Sequence, residues 1–320
     1  MRRVMVLVVL LAVGSLTLAV AAYQQPSAPK VVEVEKLKDN LFMLKGGGGN
    51  TAVFVRADGV VVVDTKNPGW GQPILDKIKG LTSKPITMII NTHTHGDHVS
   101  GNVEFPATVD IVTHENTKVN MEKMAPVTGL AQQQPPPPNI FKANNGKGLP
   151  KRTFKDKMSL GSGGDEIDLY YFGAGHTNGD AVIVFPALRT AVMGDLFARK
   201  WAPLVDAGNG GSAVAFPQTL AKAVAGLKDV DTVITGHATT TIGSGRDVTF
   251  VRSNPVMNMA DLREYADFTR DFVAAAEAAM KAGKGVDEAV SGLKLPDRYK
   301  AYNTANLKAD VQRVYAELKR

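Results

Sequence analysis

Five of the chain's six histidines follow closely on a short apolar run, and three of them, His93, His95 and His98, fall within six positions of "NTHTHGDHVSGN" (Asn91–Asn102). The run ahead of that cluster, "PITMII" (Pro85–Ile90), is apolar, and turn chemistry follows it. His176 in "GAGHTNGD" comes after "DLYYFG", and His237 in "VITGHATT" comes after "DTVIT". Asp195 ends a further run, "AVMGD". Such a pattern suits a fold that lays several strands side by side and gathers their ends at one sheet edge, which is where α/β sheets carry their sites. The chain is therefore expected to be α/β.

The rest of the pattern agrees. "VVEVEKL", "LFMLKGG", "TAVFVRA" and "VVVVDTK" are short β-rich runs separated by "KDN", "GGGGN" and "ADG", an opening antiparallel meander. Ile74, Leu75, Ile78 and Leu81 predict a short helix, and "VDIVTHE" a strand. From about Glu115 to Lys157 the sequence is weakly patterned and includes "QQQPPPPN" (Gln132–Asn139), read as a lid or a disordered insertion. Strands return with "EIDLYYFG", "AVIVFP", "TAVMGD" and "DTVITGH", with a helix over "FPQTLAKAVAGLKD". Beyond about Thr249 helices are expected. Leu262, Tyr265, Thr269, Phe272 and Ala276 share one face, and so do Leu307, Val311, Val314 and Leu318.

The first residues carry a different signal. Arg2 and Arg3 precede the apolar run "VMVLVVLLAVGSLTLAV", and Ala19-Val20-Ala21 fits a small-x-small cleavage site, so residues 1–22 are expected to be a signal peptide and the mature protein periplasmic or secreted. The alternative is a retained membrane anchor. There is no cysteine, so no disulfide, thiol nucleophile or thiolate ligand is available and a hydrophobic core must hold the exported chain. The net charge of +6, or +4 without Arg2 and Arg3, is scattered among acids, which argues against nucleic acid. The partner expected is a small-molecule substrate. Oligomeric state is not legible.

Imidazoles and carboxylates at these spacings point to metal binding. His93 and His95, two apart on extended chain, can grip one ion with His176 as the third nitrogen. Asp97 and His98, turned by Gly96, can serve a second ion with His237, and Asp195 can bridge both. Two such ions would share a hydroxide that is nucleophilic at neutral pH. As a packing feature, three histidines in six positions would cost several kcal/mol if buried unpaired. Asp195 alone would be read as a turn or cap residue, and His114 in "VTHEN" is given a structural role. "GGGGN" lacks the Lys-Ser/Thr of a phosphate loop and is read as a tight turn.

At these residues the sequence resembles a known family. "THTHGDH", followed in order by "GHT", "GD" and "GH" and preceded by "VVVVDT", closely resembles the metallo-β-lactamase superfamily from about Val31 to Thr241. The resemblance implies a four-layer αββα sandwich with a di-zinc site, with iron or manganese as alternatives. His93, His95 and His176 would hold one ion, Asp97, His98 and His237 the other, and Asp195 would bridge. Asp64 would orient the ligand loop, unless it merely caps a turn. The domains expected are a hydrolase domain over 30–250 and a C-terminal helical extension over 251–320.

Departures narrow the family. Secreted β-lactamases of the first two zinc subclasses use a cysteine near position 195 and the third usually a serine. An aspartate there looks more like hydroxyacylglutathione hydrolases, lactonases and phosphodiesterases, and export argues against glutathione thioesters. The reading is an exported zinc hydrolase whose bridging hydroxide attacks an ester, lactone, amide or β-lactam carbonyl, with Asp97 orienting the nucleophile and relaying a proton. Phosphoester hydrolysis is possible on the same metals. Arg199 and Lys200 could pair with a substrate carboxylate, or form a solvated charged loop. The alternatives are a mononuclear iron oxygenase of the same superfamily and a non-catalytic metal-binding protein.

Overall fold

The alternation of side chains along the strands decides which surface each strand buries. In β3 (Thr51–Val55) and β4 (Val60–Val63), Phe54, Val61 and Val63 face one core while Val53, Val60 and Val62 face another. Both sides are buried, so these strands are apolar apart from Thr51 and lie between two layers. The computed structural model describes residues 30–127, 137–242 and 249–319. The expected signal peptide and most of "QQQPPPPN" lie outside the described residues.

β1 (Glu33–Lys38), β2 (Leu41–Lys45), β3 and β4 form the antiparallel meander expected. The sheet then turns parallel through β5 (Ile86–Ile90), β6 (Asp110–His114) and β7 (Arg152–Phe154), in spatial order β1 to β7. The second sheet takes β8 (Lys157–Leu160), β9 (Ile167–Tyr171), β10 (Ala181–Phe185), β11 (Thr190–Val192) and β12 (Thr232–Ile234). A two-stranded hairpin, β13 (Thr239–Ile242) with β14 (Thr249–Arg252), precedes its last strand, β15 (Val256–Asn258). Its spatial order is β15-β12-β11-β10-β9-β8, with β11 and β12 parallel.

Between the sheets lies one core in which Leu41, Met43, Phe54 and Ile90 meet Ile167, Leu169, Ile183 and Phe185. The rings of Phe54 and Phe185 pack at 4.8 Å. Burying each such side chain contributes about 1.5–3 kcal/mol. The outer face of the first sheet is covered by α1 (Gly71–Leu81), through Ile74 and Ile78. The outer face of the second is covered by α5 (Phe216–Gly226), α6 (Met259–Lys281) and α8 (Leu307–Leu318). This is the αββα sandwich. Short helices α2 (Gly96–Val99), α3 (Glu115–Lys123), α4 (Ile140–Ala143) and α7 (Val286–Ser291) complete the described elements.

Two expectations change. The weakly patterned region is not all loop, because α3 starts at Glu115, where the His114 side chain caps it by accepting the Asn116 amide at 3.2 Å. Its buried residues are Thr117, Asn120 and Met121, so no apolar stripe marked it. The division at 250/251 falls within a continuous architecture. Val256–Asn258 pairs with β12, α6 packs on the same core as α5, and the described residues from Val32 onward form one compact unit. The face foreseen on α6, Leu262 through Ala276, is buried, and a capping box between Asn258 and Asp261 starts the helix.

Candidate metal centre

The two sheets present parallel neighbours at the same place. Asp64 follows β4, the His93–His98 segment follows β5, Asp195 follows β11 and His237 follows β12, while His176 arrives from the loop after β9. The structure brings all seven expected donors together. His93, His95, His176 and Asp195 form one group and Asp97, His98 and His237 another, with donor atoms within 4.8 Å of one another in each. Asp195 lies between the groups. Its carboxylate is 3.1 Å from His237 Nε2, 3.4 Å from His98 Nε2 and 3.7 Å from His176 Nε2. His93, His98 and His176 are buried, whereas the Asp97 side chain keeps 32% of its surface and marks the side open to solvent.

Each anchored ring gives its outer nitrogen to the protein. His95 Nε2 donates to Asp206 Oδ2 at 2.8 Å, His98 Nδ1 to Asp64 Oδ2 at 2.7 Å, and His176 Nδ1 to the Leu204 carbonyl at 2.6 Å. Thr92 Oγ1 donates to Asp64 at 2.6 Å, so it accepts from His93 Nδ1 at 3.0 Å. With their protons committed outward, His93, His95 and His176 point bare lone pairs inward. His95 Nδ1 faces His176 Nε2 at 3.0 Å, and His98 Nε2 faces His237 Nε2 at 3.3 Å. His93 Nε2 and Asp195 Oδ1 are buried with no hydrogen-bond partner among the described residues. Lone pairs at these separations repel unless a cation sits among them, and outward anchoring is how proteins fix metal-ligating histidines. The donor set fits divalent metal.

The electrostatics say the same. Burial opposes a charge on His98, yet Asp97, Asp195 and Asp64 outweigh it and hold its pKa well above the ordinary value. Burial also opposes ionised Asp195, but His237 and His98 hold it well below the usual carboxylate range, and Asp97 is lowered against burial by the same two rings. His93 goes the other way, lowered well below its ordinary value by burial and then by His98 and His176. The carboxylates thus call for positive charge that His93 cannot carry as a proton.

Three anchoring residues went unforeseen. Asp206 is fully buried in "LVDAGNGG" and also accepts from Asn209 Nδ2 at 2.6 Å and Gly208 N at 3.0 Å. Its sequence reads as generic turn chemistry, so nothing singled it out. Asp180 accepts the Thr177 amide at 2.9 Å and braces the His176 turn, and burial pushes its pKa up to about 6. Lys66 is fully buried, and burial pushes its ammonium down to about 7 against the pull of Asp64 and Asp97. His114 has the structural role expected. It caps α3, donates Nε2–H to the Lys155 carbonyl at 2.8 Å and stacks on Tyr171.

The two cations expected to meet substrate separate. Lys200 pairs with Asp261 at 2.9 Å and Glu264 at 3.0 Å, both on α6, as a residue of a charged loop does. Arg199 stacks over the Trp201 ring at 4.2 Å, and its Nε and Nη1 are buried with no hydrogen-bond partner among the described residues. Its charge is within reach of Asp195 and Asp97, beside the metal centre.

Comparison with known proteins agrees with this geometry. Residues 44–237 match the sequence model of the metallo-beta-lactamase superfamily. The chain is 29% identical over 175 residues to "Metallo-beta-lactamase type 2" of Elizabethkingia meningoseptica, an alignment spanning 51% of this chain and 61% of that one. It is 24% identical over 213 residues to "Metallo-beta-lactamase IND-1" of Chryseobacterium indologenes, covering 63% and 80%. The fold is similar to that of a metallo-beta-lactamase from Pontibacter korlensis, with a TM-score of 0.57 at 19% identity, covering 75% of this chain and 99% of that one. With the matched segment running from the end of β2 to His237, and so enclosing every donor of the centre, the chain belongs to the metallo-beta-lactamase superfamily.

Proposed function

We propose that the protein is a metal-dependent hydrolase with a two-ion, preferably zinc, centre, acting on an ester, lactone, amide or β-lactam carbonyl in a substrate that carries a negative charge. The observation that carries this reading is the pair of converging donor groups joined by Asp195, each with imidazole nitrogens facing one another across about a hydrogen-bond distance. His93, His95 and His176 would hold one ion, Asp97, His98 and His237 the other, and Asp195 would touch both. Ions bound there would supply a nucleophilic hydroxide at neutral pH and electrostatic stabilisation for a developing oxyanion.

The chain's own residues do the rest. Asp97 is a carboxylate at the solvent side of the centre, suited to orient a nucleophile and take up its proton. Arg199 carries its charge close to Asp195 and Asp97, where it would attract the carboxylate of a substrate held at the centre. A mononuclear iron centre would leave Asp97, His98 and His237 facing one another without a cation. The N-terminal apolar run supports export, so the enzyme is assigned to the periplasm or exterior. No helix of the described residues is long and apolar enough to cross a membrane.

The test is a panel of a cephalosporin, a lactone, a thioester and a bis-phosphodiester, given to the mature protein with defined zinc. Turnover of a carbonyl substrate, abolished by His95→Ala and by Asp195→Ala with loss of bound zinc, is expected. Arg199→Ala should raise KM for an anionic substrate while leaving a neutral one unchanged. A zinc-loaded protein inert to the whole panel would refute the reading.

A further inference from the structure

A buried lysine is costly unless its ammonium is satisfied and its position serves something. Lys66 is fully buried and donates to the carbonyls of Leu44 at 2.8 Å and Gly49 at 2.7 Å. Both belong to the chain around the glycine run Gly46–Gly49, which at first reads as a mere turn. Asp64 and Lys66 both have left-handed backbones, φ 63° and 69°, which non-glycine residues adopt at a cost where the surroundings enforce it.

That strained segment spreads in three directions. Asp64 accepts the hydrogen bond from His98 Nδ1, the Thr65 amide donates to the His98 carbonyl at 2.7 Å, and Lys66 reaches under the glycine loop. The loop then touches every donor of the second group or its immediate neighbour. Gly49 N donates to the Asp97 carbonyl at 3.0 Å, and a Cβ on Gly49 would lie 2.2 Å from His98 Cε1. Asn50 N donates to the carbonyl of Gly236, next to His237, at 2.7 Å, and Asn50 Nδ2 to the Thr235 carbonyl at 2.8 Å.

We propose that Lys66 is a positioning residue, whose ammonium clamps the Gly46–Asn50 loop against Asp97, His98 and Gly236 and so fixes the second group of metal donors. The proposal rests on the two-ion reading of the centre. It predicts that the loop and the second ion are thermodynamically linked, so each stabilises the other.

Two measurements test it. In the first, zinc is titrated into metal-free wild type and Lys66→Met against a chromophoric chelator. The variant, similar in length but with no donor, should bind the second equivalent 10–100-fold more weakly, the range for residues that orient metal ligands, and the first within about twofold. In the second, amide hydrogen exchange is followed in wild type alone, so the result stands even where the variant fails to fold. Binding of the second equivalent should slow exchange at Gly49 and Asn50. Equal affinity of the folded variant for both equivalents, or loop amides indifferent to the second, would overturn the role of Lys66 while leaving the metal centre intact. Wild type that takes up no zinc would overturn the metal reading and this proposal with it.

Discussion

Replacing Asp64 by asparagine changes one oxygen into an NH2 group and leaves shape and backbone nearly untouched, since asparagine tolerates the left-handed conformation at φ 63°. The carboxylate accepts three hydrogen bonds, from Thr92 N at 2.8 Å, Thr92 Oγ1 at 2.6 Å and His98 Nδ1 at 2.7 Å. An amide oxygen kept on Thr92 N leaves the amide NH2 facing two donors. The metal-free chain can relieve this by moving protons. His98 can carry its hydrogen on Nε2, towards Asp195 and Asp97, and Thr92 can turn its hydroxyl to His93 Nδ1, which puts the imidazole hydrogen on Nε2. Both shifts cover an inward lone pair. The metal-free variant should therefore lose only about 1–2 kcal/mol, one to two net hydrogen bonds. Metal affinity should fall by roughly 10–100-fold, or about 1.4–2.7 kcal/mol more. Zinc competition titrations and thermal melts with and without metal separate the two effects. The reasoning is refuted if Asp64→Asn binds zinc as wild type does, or if its melting loss is the same with and without metal.

Three other perturbations probe separate parts of the structure. Gly236→Ala would place a Cβ 2.0 Å from Asp195 Oδ1, so metal affinity should drop at least tenfold in a protein that still folds, as read by the same titration; wild-type affinity would contradict the bridging position. Asp206→Ala removes the acceptor of His95 Nε2 and should weaken metal binding roughly 10–100-fold, with an unchanged value showing that the anchor is idle. Asp310 on α8 is buried, and burial alone raises its pKa well above 3.8, so the native chain keeps a proton that the unfolded chain loses near that pH. Its contribution is complete below about pH 3.8 and fades as pH rises towards the folded value. Asp310→Asn should therefore match wild type near pH 4 and become more stable above it, by at most roughly 1.4 kcal/mol per pH unit. Parallel melting curves from pH 4 to 8 would exclude this.

What could be read from the sequence follows from where the physical signal is local. With no cysteine in the chain, a metal donor here is His or a carboxylate, and a donor at a strand end sits beside a strand's own apolar pattern, so the His93–His98 cluster stands out and brings His176, Asp195 and His237 with it. The residues that aim them do not. Asp206 reaches His95 across 111 positions from an ordinary-looking loop, and the anchor of His176 is a backbone carbonyl, that of Leu204, which has no sequence signature. Lys66 looks like any surface lysine until the fold buries it. The glycine run was legible as a turn but not as the floor of the second donor group, because the ring that forbids a Cβ at Gly49 is His98, far along the chain. The same holds for the fold. Long amphipathic helices such as α6 declare themselves, whereas β15, three residues long, and α3, with Thr117 and Asn120 among its buried residues, depend on partners that only the assembled sandwich provides.

The most direct test of the whole account is to locate metal by anomalous X-ray scattering in crystals of the zinc-loaded protein. The account predicts two peaks, one among His93 Nε2, His95 Nδ1 and His176 Nε2, the other among Asp97, His98 Nε2 and His237 Nε2, with Asp195 between them. A single peak, or none within this cluster while the histidines keep the positions described, would contradict it.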